Sequence, residues 1–313
     1  MSGILPGIEE VRAPVAVAPP GPALARPPRS YWRESADRLW ENRPGVACGA
    51  AILLLAALAV AAPLISGNVT HYGPTSQDLT HLFRPPGGAH LLGTDELGRD
   101  TLTRLLYGSQ VSLSVGFLTA SLSLVVGGTV GLIAGYLGGW LDNLMMRLVD
   151  VILSIPAIFL FILLSVLLRP NAITLSFIIA FVGWGNVGRL VRAEALSLRS
   201  REFIIATRSV GAGTPRLIVR HLLPNALPVM IVAASLAVGQ IILAEAALSY
   251  LGLGAAEPTP SWGLMLSGSA PSYAEKAPWI ALFPGIAISL GVFGFNLFGD
   301  SLRDALDPKL RKG

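Results

Sequence analysis

The chain has 313 residues, of which 52% are hydrophobic and only 13% are charged, whereas soluble domains carry about a quarter of charged residues. This composition excludes an ordinary water-soluble enzyme or binding domain, because such a fold cannot cover so much apolar chain. The net charge of +4 comes from basic residues beside the apolar segments, so nucleic-acid binding is a poor explanation.

The predicted elements begin with a tail over residues 1–30, rich in Pro and Ala, which we expect to be a disordered cytoplasmic segment. Residues 31–45 mix aromatic and basic side chains with acids, as is typical of an interfacial elbow helix. A transmembrane domain is predicted over 46–300. The polar residues 301–313 form a cytoplasmic tail, in which a short helix should end at Asp307.

Apolar blocks of about twenty residues fill the transmembrane domain, and each is long enough to cross a hydrocarbon core of ~30 Å. No alternation of period two runs through them, which disfavours an outer-membrane barrel. The fold class is therefore all-α, a polytopic membrane helix bundle with about six transmembrane helices. The predicted spans are 46–65, 111–133, 148–168, 172–191, 227–251 and 279–298.

The distribution of Lys and Arg predicts how the chain is oriented in an inner or plasma membrane. Cytoplasmic loops carry the excess of these residues. Of the 23 Lys and Arg residues, the only ones in segments on the predicted outer side are Arg84, Arg99, Arg104, Arg169 and Lys276. Both termini are therefore predicted to be cytoplasmic.

The outer segment between the first two spans contains three histidines, at positions 71, 81 and 90. Their spacing matches no known metal-site pattern, so no metal site is predicted. Thr94 is followed by Asp95 and Glu96, an arrangement typical of an N-cap with acids in the first helical turn. A short helix over 95–107 is expected to lead into the second span.

Small and helix-breaking residues within the spans predict how the helices pack. Gly127, Gly131 and Gly135 recur every four residues on one helix face, which allows a second helix to approach closely. Pro156 interrupts the hydrogen-bond ladder of the third span. The single cysteine, Cys48, can form no intrachain disulfide and is expected only to pack.

Two acids lie in or beside the spans. Asp150, near the cytoplasmic edge, is expected to pair with Arg147. Glu245 lies deep in the fifth span, where a carboxylate is costly and is a candidate functional site by default. It either faces the transport pathway or has a structural role such as an interhelical hydrogen bond.

The longest loop between spans on the predicted cytoplasmic side covers residues 192–225. Residues 203–210 form a helical stretch, Gly211 and Gly213 stop it, and Thr214 with Pro215 restarts a helix as N-cap and first residue. A short exposed helix joined to two spans suits the transmission of force from a cytoplasmic partner. An amphipathic helix that rests on anionic lipid explains the pattern equally well.

This loop resembles the cytoplasmic loop of permease subunits of ABC importers, which reads EAA, three residues, Gly, about nine residues, an apolar residue and often LP. Ala206 matches the middle alanine, Gly211 the glycine, and Leu223-Pro224 the end of the pattern. Other blocks, among them LGTDELGRDTLTRLLYGSQVSL and LAEAALSYLGLG, resemble the second permease subunit of the dipeptide and oligopeptide permease branch. The sequence departs from the pattern where Ile205 replaces the glutamate and Thr207 replaces an alanine.

The resemblance implies a type I ABC importer permease fold, a second homologous permease, one or two ABC ATPase subunits and an extracytoplasmic solute-binding protein. ATP and Mg would be used by the ATPases, and no cofactor, metal or catalytic group is expected here. The sequence contains no GxxxxGK[ST] phosphate loop. The residues implied to couple the permease to an ATPase are Glu202, Phe203, Ile204, Ile205, Ala206, Thr207, Arg208, Gly211, Leu223 and Pro224.

The cargo implied by the resemblance is a dipeptide or oligopeptide, with nickel complexes or glutathione as alternatives. A secondary transporter driven by an ion gradient is the competing class, and it would be expected to contain inverted repeats, of which the sequence has none. A membrane-embedded enzyme is the weakest candidate, because the spans contain one deep acid and no histidine.

Overall fold

The computed structural model describes residues 31–255, 257–267, 273 and 275–306, and these residues are largely helical with no named strand. The predicted tail at 1–30 and the predicted helix end at Asp307 lie outside the described residues. The helices are α1 Tyr31–Glu41, α2 Arg43–Val60, α3 Ala62–Ile65, α4 Thr101–Leu137, α5 Gly139–Ser154, α6 Ala157–Leu168, α7 Ala172–Arg199, α8 Glu202–Ser209, α9 Thr214–Leu217, α10 Leu223–Tyr250, α11 Trp262–Leu266 and α12 Trp279–Leu306.

The helix lengths confirm a polytopic bundle. Among the residues that the structure describes, five continuous helices are long and apolar enough to span a membrane: α2, α4, α7, the run from Thr214 to Tyr250, and α12. The pair α5 and α6 supplies a sixth crossing if it is counted as one broken span. The run from Thr214 to Tyr250 includes a π-helical turn, Ile218–Leu222, between α9 and α10.

The glycine stripe on α4 packs directly against the backbone of α7, as predicted. A Cβ atom added at Gly127 would lie 2.5 Å from the carbonyl oxygen of Trp184, and one at Gly131 would lie 2.6 Å from that of Gly188. The same addition at Gly135 would lie 2.6 Å from the carbonyl oxygen of Arg192. Any side chain at these positions would push the two helices apart.

The third predicted span, 148–168, is broken near Pro156, as predicted, and its first helix begins earlier, at Gly139. The axis turns by 84° between α5 and α6, at the break before and including Pro156. Proline lacks the N–H that would continue the ladder, so its predicted effect on the helix is confirmed.

Asp150 pairs with Arg189 of α7, with 2.6 Å between Oδ1 and Nη2, and the prediction of Arg147 as its partner is wrong. The neighbouring helix brings a cation to the acid from outside its own helix.

The start of α4 also differs from the prediction. Asp100 caps the helix and accepts a hydrogen bond of 2.8 Å from the backbone N–H of Thr103, so Thr94 is not the N-cap and residues 95–100 are not helical. The carboxylate of Asp95 instead accepts the backbone N–H of Arg99 and closes a turn. The Thr94 hydroxyl donates to the carbonyl oxygen of His81 at 2.6 Å and ties two parts of the loop together.

The three histidines of this loop have separate surroundings. His90 is buried, contacts Asp100 at 3.0 Å and stacks on Tyr72. Hydrogen bonds from Thr80 and from His81 hold the pKa of Asp78 below its usual range. Within the part of the chain that the structure describes, no group of three His, Cys, Asp or Glu residues is placed to hold a metal ion.

The two ends of the bundle pack on each other. Asn42 ends α1 and caps α2 by accepting a hydrogen bond of 3.2 Å from the N–H of Gly45, so the predicted elbow at 31–45 is shorter than expected. Gly45 lies close to Ser301, since an added Cβ would lie 2.5 Å from the Cβ of that serine. Ser301 belongs to α12, which continues to Leu306. The residues after 298 therefore extend the last span, and the prediction of a separate helix there is wrong.

Candidate functional site: the exposed helix between two spans

The predicted loop at 192–225 is much shorter in the structure. Its first part extends α7 as far as Arg199, and its last part belongs to the helix that starts at Thr214 and continues to Tyr250. Only residues 200–213 lie between the two long helices, and most of them form α8. The short helix is thus joined to a span at each end with few intervening residues.

The ends of α8 are defined by charge and by one glycine. Glu202 is in the first turn and Arg208 in the last turn, where each meets the helix dipole favourably. Gly211 has a φ of +86°, and its N–H donates to the carbonyl oxygen of Arg208 at 3.0 Å. The N–H of Ala212 donates to that of Thr207 at 3.3 Å. These two bonds form a Schellman motif, which confirms the predicted helix stop at Gly211.

The restart of the helix is displaced by one residue from the prediction. Gly213 is the N-cap, with an extended backbone at φ −69° and ψ 153°, so that Thr214 is the first helical residue and Pro215 the second. No side chain caps this end, and the prediction of Thr214 as N-cap is wrong. Pro215 is tolerated because a first-turn N–H has no partner within the helix.

One side chain anchors α8 to the bundle. Ile204 is 2% exposed and is the only buried residue among the eight of this helix. It belongs to an apolar cluster with Leu198 from the end of α7 and with Leu217 and Leu222 from the next helix. Leu223 packs against the same cluster. The anchor therefore connects both spans that flank the short helix.

The rest of α8 presents an outward surface. Phe203 is 39% exposed, Ile205 is 54% exposed and Val210, just past the helix, is 89% exposed. Glu202, Ala206, Arg208, Gly211 and Pro224 are also exposed, and Thr207 is half-buried. Apart from Ile204 and Leu223, which pack in or against the apolar cluster, the predicted coupling residues are thus accessible. They include the large apolar side chains of Phe203 and Ile205, and Val210 lies just beyond them.

An ion pair and a hydrogen bond that the sequence did not predict hold α7 in place near this helix. Arg192 makes a two-pronged contact with Asp142 of α5, including 2.7 Å from Nη2 to Oδ2. Arg199 donates from Nη1 to the carbonyl oxygen of Gly135 of α4 at 3.3 Å. No short spacing in the sequence joins these partners, so only the packing of α4, α5 and α7 reveals them.

Comparison with known proteins places this geometry in a family. A family model described as a binding-protein-dependent transport system inner membrane component matches residues 127–312. The chain belongs to this family. It is therefore a permease, a non-catalytic membrane component of an ABC importer. A second model, described as the N-terminal TM domain of oligopeptide transport permease C, matches residues 30–86.

Curated relatives match the permease over most of its length. It is 43% identical to the dipeptide transport system permease protein DppC of Alkalihalophilus pseudofirmus, covering 90% of this chain and 91% of that protein. It is 38% identical to the oligopeptide transport system permease protein OppC of Bacillus subtilis, with 90% and 91% covered. It is 39% identical to the glutathione transport system permease protein GsiD of Pectobacterium atrosepticum, with 90% and 93% covered.

A solved structure supports the fold alone. The permease aligns with a chain from an inward-facing MetNI methionine ABC transporter at a TM-score of 0.52 and 20% identity, covering 65% of this chain and 96% of that one. The predicted type I ABC importer permease fold is confirmed by this likeness and by the family.

The deep acid of the permease joins three helices. Glu245 of α10 is fully buried, and its carboxylate accepts hydrogen bonds from the hydroxyls of Ser112 of α4, at 2.9 Å, and Ser249, at 2.7 Å. The Ser112 hydroxyl accepts the backbone N–H of Trp262, the first residue of α11, at 3.3 Å. The bond from Ser112 is an interhelical hydrogen bond, the structural alternative for this acid, whereas the bond from Ser249 lies within α10. The serines were missed because serine carries no signal in an apolar span.

Proposed function

We propose that this permease forms, with a second homologous permease, the translocation pathway of an ATP-driven importer for dipeptides or oligopeptides. Relatives about 40% identical over nine-tenths of the chain carry dipeptide and oligopeptide transport in their names, which supports this cargo. One relative is named for glutathione, so glutathione is the nearest alternative, and nickel complexes are a further one.

The proposed coupling element is α8, which would dock on an ABC ATPase subunit. The single observation that carries this role is the exposure of Phe203, Ile205 and Val210 on a helix that is anchored to both flanking spans by Ile204. Exposed apolar side chains grouped in this way are typical of a surface that a partner covers. Since Ile205 replaces the glutamate of the family pattern, the proposed contact relies on apolar packing and on Arg208 and Glu202 at its edge.

The remaining partners follow from the importer class. One or two ABC ATPase subunits would bind ATP and Mg, and an extracytoplasmic solute-binding protein would deliver the cargo. This chain itself is proposed to bind no cofactor. With α8 on the ATPase side, the inner membrane is crossed so that both termini are cytoplasmic, in agreement with the bias of Lys and Arg.

The test of this function is purification of the tagged permease in mild detergent, followed by mass spectrometry of the proteins that remain bound. We expect a second permease and one or two ATPases. Recovery of a homogeneous single chain would refute the proposed partners.

The cargo is tested by deleting the gene and growing the strain on dipeptides as the only amino-acid source. We expect a growth defect on dipeptides and normal growth on free amino acids. Equal growth of the deletion and parent strains on dipeptides would refute the peptide cargo.

A further inference from the structure

A small polar cavity lies at the start of α4, the end of that helix opposite to α8. Its volume is about 70 Å³. Charged side chains from two separate loops line it, namely Asp95, Glu96 and Arg99 from the segment before α4 and Glu257 from the segment before α11. Thr101 and Arg104 of α4, together with Ser267, are its other polar lining residues.

The two arginines of the cavity differ in how well their donors are satisfied. Arg99 donates from Nε to Asp95 at 2.6 Å, from Nη2 to Glu96 at 2.9 Å and from Nη1 to Glu257 at 3.1 Å. Burial by itself would lower the pKa of Arg99. The nearby carboxylates, above all Asp95 and then Glu257 and Glu96, have the larger combined effect, so the pKa of Arg99 is raised. Arg99 is therefore fully paired and uses a donor for each of the three carboxylates.

Arg104 lacks such partners although it is only 3% exposed. Its Nε and Nη2 atoms each lie 3.5 Å from a carboxylate oxygen, of Asp95 and Glu257 respectively, and its Nη1 atom has no hydrogen-bond partner. The hydroxyl of Thr101, which is 1% exposed, also has none. Of the three buried side-chain atoms without a partner in the described residues, two belong to residues that line this cavity. Each unpaired buried group costs about 1–3 kcal/mol, so the cavity favours a ligand with an acceptor oxygen.

The charges of the cavity decide which kind of acceptor fits. Two guanidinium groups face three carboxylates, so the site carries a net charge of one minus when all are ionised. A free anion would add to this negative charge, whereas a zwitterion would not. Glu257 is 51% exposed and both of its ion pairs use Oε1, which leaves Oε2 to accept a hydrogen bond from an ammonium group.

We propose that this cavity binds an amino-acid zwitterion, with its carboxylate on Arg104 and Thr101 and its ammonium group on Glu257. The volume holds about two water molecules at the density of the liquid, so the ligand is no larger than one small residue such as glycine. A dipeptide has its charged groups on different residues, whereas glycine carries both on one carbon. The inference concerns a site within this chain and does not rest on the proposed cargo.

The test measures binding of glycine to the purified full-length permease by saturation-transfer NMR, at concentrations up to about 10 mM. Acetate and methylammonium serve as half-ligands, and glycylglycine tests the peptide alternative. We expect glycine to bind at least tenfold more tightly than each of these three compounds. Absence of a glycine signal, or equal binding of acetate, would overturn the proposal, because the second result describes a plain anion site.

The matched variants are Arg104→Lys and Arg169→Lys, since Arg169 is an exposed arginine outside the cavity. The first is expected to lower glycine affinity at least tenfold and the second to leave it unchanged. If Arg104→Lys lowers the melting temperature so far that the protein is unfolded, Glu257→Gln decides the matter, because Glu257 is half exposed. That variant should weaken glycine binding and should not weaken acetate binding, because it removes a negative charge from the site. Unaltered glycine binding would refute the site.

Discussion

Replacement of Gly211 with valine tests whether the end of α8 controls coupling. Gly211 has a φ of +86°, and an added Cβ would meet no atom within 4 Å, so the cost arises from the backbone and not from a clash. A side chain in this left-handed region costs about 1–2 kcal/mol, and a β-branched one is especially unfavourable. Since about 1.4 kcal/mol changes an equilibrium constant tenfold, the equilibrium between the Schellman-closed and the open end of α8 should shift about tenfold toward the open end.

The assay is the ATPase activity of the reconstituted transporter with and without loaded solute-binding protein. We expect Gly211→Val to reduce the stimulated part of the activity, by up to about tenfold. The amount of folded permease in the membrane should change little, because the strain is confined to the end of one short exposed helix.

Gly213→Val is the matched control for this experiment. Gly213 is two residues away, has an extended backbone that suits valine, and an added Cβ there would lie 4.0 Å from Cδ of Pro215, an ordinary contact. Stimulation should survive in this variant. Full stimulation in Gly211→Val, or an equal loss in both variants, would refute the link between the φ of Gly211 and coupling.

Three further outcomes follow from packing. Ile204→Ala removes a buried anchor and should lower the free energy of unfolding by about 2–5 kcal/mol. Ile205→Ala should leave the melting temperature unchanged and reduce the amount of ATPase that co-purifies with the permease. Undiminished recovery of the ATPase with Ile205→Ala would contradict the docking surface. Glu245→Ala leaves buried hydroxyls without an acceptor, and each should cost about 1–3 kcal/mol of stability. Glu245→Gln should lose less stability, because its amide oxygen still accepts a hydrogen bond. Equal melting temperatures of the two variants would exclude this account. Gly131→Ala should separate α4 from α7 and lower the melting temperature, while Gly285→Ala, which meets nothing within 4 Å, should be neutral or stabilising by up to about 1 kcal/mol.

Much of the candidate site followed from the sequence because its determinants are local. A glycine that follows a helical stretch predicts a left-handed stop, and Gly211 adopts one. The apolar pattern around Ile204 predicts a short helix, and α8 covers it. The sequence did not predict which apolar residue is buried, because Ile204 and Ile205 are adjacent and chemically identical. In the structure Ile204 is 2% exposed and packs in the cluster with Leu217, whereas Ile205 is 54% exposed.

The errors have a common physical origin. Asp150 pairs with a cation from a neighbouring helix, although a cation within its own helix was the expected partner. Thr94 binds loop atoms ten or more residues away and so does not cap the helix. In both cases a local motif competes with a partner that only the folded bundle brings near. The unpaired donor of Arg104 escaped prediction in the same way, since an unsatisfied atom is defined by what surrounds it in space.

The sequence by itself determined that the chain crosses a membrane about six times, where most of the spans lie, and that Pro156 breaks one of them. The number and position of the spans depend on segment length and apolar content, and the break depends on the missing N–H of proline. Tertiary structure decided the 84° turn between α5 and α6, the surface that α8 exposes, and the partners of the buried charges. Those features depend on which helices are neighbours, and helix contacts between residues far apart in sequence are set by packing rather than by any local pattern.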